Sequence, residues 1–329
     1  MTYEFENISA MVIDDMTPML TLVTSLLDIF GFGEIITATD SDDAFEKFQR
    51  QSPDLVLTDW LGFSGNGLET IRQIRRDPNS PNRFAPVVMM TGFSHPVRVE
   101  QARDQGINDF MVKPFKLPDL TRRIEQIVEK PRKFIENERF FGPDRRRHKK
   151  DSVLSRRDAD LPISSRASRP TGRFAVHEPP NILRQKIGQG GFDPVLLQKA
   201  ENYILHNKID FLPIGQAMAG HIDLLIADIM RNPENKRDII TKIMMAVMKI
   251  KANAGMFGHA LSEEISSIVL VFLETVRMLD RDVADVLRAY TAALKILLND
   301  GHDHQVTSAM AIELQNACLR YYKKHGIET

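Results

Sequence analysis

The hydrophobic positions of this chain follow two regimes. Up to about residue 130, short apolar runs alternate with amphipathic segments of helical length; beyond Pro194 only helical periodicity remains. The runs Ala10-Met11-Val12-Ile13, Leu55-Val56-Leu57, Pro86 to Met90 and Asp109 to Val112 are bounded by turn-forming residues and read as buried strands of a parallel sheet. Helix-length segments separate them: Thr17 to Phe30, Asp42 to Gln51, Gly67 to Arg76, Pro96 to Gln105 and Leu117 to Glu129. Strand and helix alternating with short joints predict right-handed βαβ crossovers and an α/β fold. In such sheets ligands meet the protein just beyond the carboxyl ends of the strands. The four runs end there on Asp14-Asp15, on Thr58-Asp59, on Thr91-Gly92 and on Lys113-Pro114.

The helical regime predicts helices at about 194–206, 210–231, 234–256, 261–279, 282–299 and 304–324, joined by short breaks at Asn232-Pro233, Gly255 to Gly258, Leu279-Asp280 and Asn299-Asp300-Gly301. Joints this short favour an antiparallel all-α bundle, with capping chemistry from Asp282, Asp285 and the Asn-Asp-Gly stop. Between the regimes the composition shifts. Residues 131–182 hold thirteen Lys/Arg against seven Asp/Glu, many Ser and Pro, and little apolar periodicity. They are expected to form a basic linker, disordered for much of its length. The block Arg145 to Lys150 reads as a solvated tether, with an acidic or phosphate partner as the sharper alternative. The pair Phe140-Phe141 suggests that one end of the linker docks, the first regime itself being a candidate surface. The division expected is thus 1–130, 131–182 and 183–329.

Charge sharpens the reading of the strand ends. Two like charges about 4 Å apart cost roughly 4 kcal/mol at an effective dielectric near 20. Asp14, Asp15 and Asp59 gathered on one edge therefore require a cation or raised pKa values. Carboxylates, a carbonyl and waters suit Mg²⁺, which often completes its shell with phosphate oxygens. Lys113 adds a positive charge and Thr91 a hydroxyl, so the edge suits a phosphoryl group with a carboxylate as nucleophile.

With those residues in place, positions 8 to about 130 resemble the CheY-like receiver domain of bacterial two-component response regulators. The resemblance implies a doubly wound five-stranded parallel sheet; the separate helical bundle after a long linker rests on the periodicity and composition of the later residues. It implies Asp59 as the aspartate phosphorylated by a sensor histidine kinase or phosphotransfer protein. Asp14 and Asp15 would hold Mg²⁺ together with Asp59 and the Leu61 carbonyl, Thr91 and Phe110 would be the switch residues, and Lys113 would pair with the phosphoryl oxygens. It also implies a cis Lys113-Pro114 bond. The loop after Asp59 departs from the family pattern, with Gly62-Phe63 where Met-Pro is usual.

The stretch Met248 to Gly258 is similar to the core of histidine phosphotransfer domains. Ile250, Lys251 and Gly258 stand at matching positions, Ala252 replaces a Gly, and Met248 stands where the phosphorylatable His would be. That resemblance implies a pseudo-phosphotransfer domain, shaped to dock a receiver and lacking the acceptor. His221 and His259 read as structural or surface histidines, and His302-Asp303-His304 as a metal pair on paper only. Met244, Met245, Met248 and Met256 read most simply as bundle core, an adaptable binding face being the alternative.

Composition then excludes several classes. The 43 basic and 44 acidic residues give no global pull toward nucleic acid or membrane. Cys318 is the single cysteine, so no disulfide framework exists. The polar, acidic start is unlike a signal peptide, and the longest apolar run, Ile268 to Leu273, is far short of a membrane span. A cytoplasmic location follows as an expectation. The function expected is a phosphorylation-dependent response regulator, not an enzyme beyond its own phosphoryl chemistry, whose helical region signals by protein–protein contact. An intramolecular receiver–bundle contact and a homo-oligomer are its candidate assemblies. The alternatives are a DNA-binding transcriptional regulator and an active relay using another histidine.

Overall fold

The computed structural model describes residues 1–60, 67–92, 96–145, 174–206, 211–231, 236–276, 280–299 and 304–327. Five parallel strands form the first sheet: β1 (Ser9–Ile13), β2 (Glu34–Ala38), β3 (Leu55–Asp59), β4 (Val87–Thr91) and β5 (Asp109–Val112), in the order β2-β1-β3-β4-β5. Helices α1 (Thr17–Ile29), α2 (Ser41–Gln51), α3 (Gly67–Arg76), α4 (Pro96–Asp104) and α5 (Leu117–Glu129) alternate with them.

The two faces of the sheet build two cores. Ala10, Val12, Leu55, Leu57, Val88, Met90 and Met111 join residues of α1 and α5. Met11, Ile13, Val56, Val87 and Met89 join residues of α2 and α3. Burial on both faces is why these strands read as unbroken apolar runs rather than alternating ones. Register carries Ile13 opposite Thr58, Asp59 opposite Met90 and Thr91 opposite Val112, so the functional ends line up on one edge.

The stretch expected to be a tether is ordered at both ends. Strands β6 (Phe134–Glu136), β7 (Phe141–Pro143) and β8 (Ala175–His177) form an antiparallel sheet in the order β7-β6-β8. Phe134 and Phe141 are buried, and both meet the Phe84 ring at 5.2 and 5.3 Å between centroids. The Arg83 guanidinium lies 3.5 Å over Phe141. The sheet thus closes over the α/β domain through aromatic packing that a period-based reading of short, charged strands does not register. Arg145, first residue of the basic block, donates to the Ile107 carbonyl rather than facing a partner. Residues 146–173, with the rest of that block, lie outside the described residues.

Residues 183–206, expected within the bundle, pack on the α/β domain instead. Helix α6 (Ile182–Ile187) adds Leu183 and Ile187 to the core shared with α1 and α5. Asn181 caps it, accepting from the Arg184 amide at 3.1 Å while donating to the Val128 carbonyl at 2.7 Å. Phe192 packs edge-on or tilted among Tyr3, Phe5 and Phe30, and on helix α7 (Pro194–His206) Tyr203 Oη donates to Ser25 Oγ at 2.9 Å. The polar N-terminal segment is held here as well, Tyr3 donating its amide to the Gly191 carbonyl at 2.8 Å.

The bundle proper comprises α8 (Leu212–Arg231), α9 (Lys236–Met256), α10 (Ala260–Thr275), α11 (Arg281–Asn299) and α12 (His304–His325) around one apolar core. Its boundaries follow the sequence periodicity closely. The cap of α11 differs: Asp280 Oδ1 accepts from the Val283 amide at 2.9 Å, whereas Asp282 pairs with Lys324 and Asp285 with Arg288. Helix α9 ends ahead of Gly258, whose φ of +81° suits glycine and turns the chain into α10.

Candidate functional site

The pocket is built where β1, β3, β4 and β5 end. Asp14 is fully buried, and Asp59, Thr91 and Lys113 are nearly so. Carboxylate oxygens of Asp14, Asp15 and Asp59 lie within 4.8 Å of one another. Asp14 accepts from the Met16 amide at 2.9 Å through Oδ1 and from Lys113 Nζ at 2.6 Å through Oδ2, while Lys113 Nζ lies 3.4 Å from Asp59. The Lys113 amide donates to the Thr91 carbonyl at 2.7 Å, tying the β4 and β5 ends together, and the Lys113-Pro114 bond is cis.

Burial pushes the Asp14 carboxyl up to about 7, with the Asp59 charge adding to it and Lys113 opposing. For Lys113 burial works against the charge, but Asp14 and Asp59 outweigh it and hold the ammonium above the ordinary lysine range. The pocket therefore carries an excess of carboxylate oxygens over fixed cations, and Asp15 Oδ1 is buried with no hydrogen-bond partner among the described residues. Clustered hard oxygens, one of them orphaned, fit a small divalent ion such as Mg²⁺. Phe110 on β5 is half-buried against the α2–α3 core. The Leu61 carbonyl, Gly62-Phe63 and His302-Asp303 lie outside the described residues, and His304 opens the last helix of the bundle.

Helix α9 covers this edge. Met245 and Met248 are buried in the core that holds Trp60 and Met89, and Met256 Sδ lies 3.2 Å from the Phe115 amide that donates to it. Of the four methionines read as bundle core, only Met244 packs solely there. The reason is that α9 has two apolar faces. Ile243, Ala246, Val247, Ile250 and Ala254 face the bundle, while Met245, Met248, Ala252 and Met256 turn to the α/β domain. Small residues let the backbones approach: a Cβ on Gly92 would lie 3.0 Å from both Ala252 Cβ and Met248 Cγ, and one on Gly255 would lie 2.9 Å from Pro114 Cγ. Between the methionines Lys249 is buried and ion-pairs with Asp15.

Met248 thus stands at the pocket edge, against Gly92. Lys249 was not legible as a site residue; its signal is a charge at i+1 of Met248 and i+4 of Met245, inside an otherwise apolar face. His259, by contrast, packs its ring against Phe211 at 5.5 Å and precedes α10.

The profile of the response regulator receiver domain matches residues 10–125. The chain is 30% identical over 120 residues to the phosphate regulon transcriptional regulatory protein PhoB of Escherichia coli, covering 36% of this chain and about half (51%) of PhoB. It is 28% identical over 125 residues to the chemotaxis protein CheY-3 of Vibrio cholerae, covering 38% of this chain and 95% of CheY-3. Among solved structures, the chemotaxis protein CheY4 of Vibrio cholerae is 23% identical with a TM-score of 0.34, covering 36% of this chain and 98% of its own. Residues 10–125 are a response regulator receiver domain of two-component signalling.

Proposed function

We propose that this chain is a phosphorylation-dependent response regulator of a phosphorelay, in which Asp59 accepts a phosphoryl group from a sensor histidine kinase or phosphotransfer protein. Asp14, Asp15 and Asp59, with the Leu61 carbonyl, would hold Mg²⁺, which supplies positive charge for the phosphoryl oxygens. Asp59 is the nucleophile, Lys113 steadies charge on the transferred group, and Thr91 and Phe110 respond to it. The chain catalyses its own phosphorylation and dephosphorylation and no other reaction, and it acts in the cytoplasm. Among the described residues no helix is long and apolar enough to cross a membrane.

The output is protein–protein contact, with the bundle reading the state of Asp59. The observation that carries this reading is the seating of α9 across the pocket edge, with Met248 against Gly92 and Lys249 on Asp15. A group added to Asp59 changes the surface on which α9 rests. Two measurements test it. Acetyl phosphate should label the full chain and leave Asp59→Asn unlabelled. Beryllofluoride with Mg²⁺ should speed amide exchange across residues 245–256. Labelling that survives in Asp59→Asn, or exchange indifferent to beryllofluoride, would count against the proposal. The DNA-binding alternative gains nothing from the one described member of the basic block, Arg145, which is spent on a backbone carbonyl.

A further inference from the structure

Lys249 is 4% exposed, and burying an ammonium is costly unless a carboxylate faces it. Its partner is Asp15, one of the three carboxylates whose oxygens gather within 4.8 Å. The other two already share Lys113, at 2.6 and 3.4 Å. Lys249 therefore supplies the second positive charge of a three-carboxylate pocket, delivered from 234 positions further along the chain. Its backbone is held there independently of the ion pair. Met245 and Met248 are buried on the receiver side, and Gly92, Ala252 and Gly255 permit the close approach. A divalent ion among the same oxygens would sit against this ammonium, and like charges this close repel strongly where water is excluded.

We propose that Lys249 is a built-in counter-cation, taking at Asp15 the place a divalent ion takes in the open receiver, so that ion binding and the seating of α9 exclude each other. The inference rests on the pocket being a divalent-ion site, the reading given above, and adds that the chain carries its own competitor. By linkage, α9 weakens the ion's binding by the same factor that the ion weakens α9 seating. A receiver in this state is held closed without any phosphoryl group, and ion entry is the first step that loosens it.

The test uses the full chain and Mg²⁺ alone, with no phosphoryl donor. Trp60, the single tryptophan, lies beside Asp59 and gives a fluorescence signal for ion binding, which calorimetry checks. Amide exchange over residues 245–256 reports on α9. Lys249→Met keeps the apolar stem and removes the charge, and should raise Mg²⁺ affinity about tenfold or more. Lys249→Arg should bind Mg²⁺ as the unaltered chain does. Saturating Mg²⁺ should speed exchange over 245–256 in the unaltered chain. Equal affinities for the Met variant and the unaltered chain would overturn the proposal. So would tighter binding in the Met variant if Mg²⁺ left α9 protected in the unaltered chain, because Lys249 would then merely repel the ion without competing for its place. Absence of saturable Mg²⁺ binding in every variant would overturn the ion-site reading itself, and this inference with it.

Discussion

Among the described residues Arg75 is the largest fully buried side chain, and its surroundings explain how a guanidinium is tolerated there. Nε donates to the Gly106 carbonyl at 2.8 Å, Nη1 to the Arg83 and Ala85 carbonyls at 2.9 and 2.8 Å, and Nη2 to Asn108 Oδ1 at 2.9 Å. It knits α3 to the β4 and β5 approaches from inside. Arg75→Met would keep the stem and orphan those acceptors, so urea unfolding should show a loss of about 3 kcal/mol or more. Cys318 makes a complementary prediction in the bundle. Burial pushes its thiol up to about 11 from an ordinary value of 9.0. The folded thiol holds its proton where the unfolded one has lost it, so this group's contribution to stability falls as pH rises from about 9 to 11, by up to about 1.4 kcal/mol per unit. Chemical denaturation of Cys318→Ala across that range should show a flatter pH dependence than the unaltered chain. Neither effect was legible beforehand. Arg75 reads as one basic residue of a surface helix, and a lone cysteine says nothing of its burial.

Legibility differed between elements for physical reasons. Strands β1, β3 and β4 are buried on both faces, and their apolar runs end on the pocket residues, so pattern and chemistry agreed. Strand β2 is an edge strand in which only Ile36 and Ala38 are buried, and its Glu34 and Thr37 broke the apolar run. The sheet β6–β8 is harder still, being three residues per strand with pairing between segments more than thirty residues apart. Its stability must come from docking, as isolated short strands are marginal in water. Phe141→Ala should therefore cost about 3 kcal/mol and speed exchange at Phe134 to Glu136 ahead of the large sheet, read by thermal melting with peptide-resolved exchange. The carbonyl of Phe141 would lie 2.7 Å from a Cβ on Gly106, where φ is +92°, so Gly106→Ala should weaken the same contact by steric and backbone strain. Helix α9 shows the opposite limit. Its periodicity was evident, but a helix with two apolar faces looks like a core helix until its neighbours are known.

At the scale of the molecule, the receiver and the bundle are joined by apolar packing as well as by charge. Met245 and Met248 belong to the receiver's α2–α3 core, with Leu270 of α10 packed against it, while Met256 and Phe257 meet the α1–α5 core. Two domains sharing buried side chains should unfold together, whereas domains on a tether should unfold apart. Met248→Asp tests which applies. The new carboxylate would be buried beside Gly92, near three carboxylates it must repel. Seating α9 would then be opposed by desolvation and by repulsion at once. Calorimetry should show one transition for the unaltered chain and two for the variant, with the receiver melting first because it loses the cover over its pocket edge. Small-angle scattering should show a larger radius of gyration once α9 no longer seats the bundle on the receiver. A single, merely lowered transition at unchanged dimensions would mean that α8, whose Ile214 and Met218 pack against the α1–α5 core, holds the halves together without α9, and that the pocket can open while the molecule stays closed.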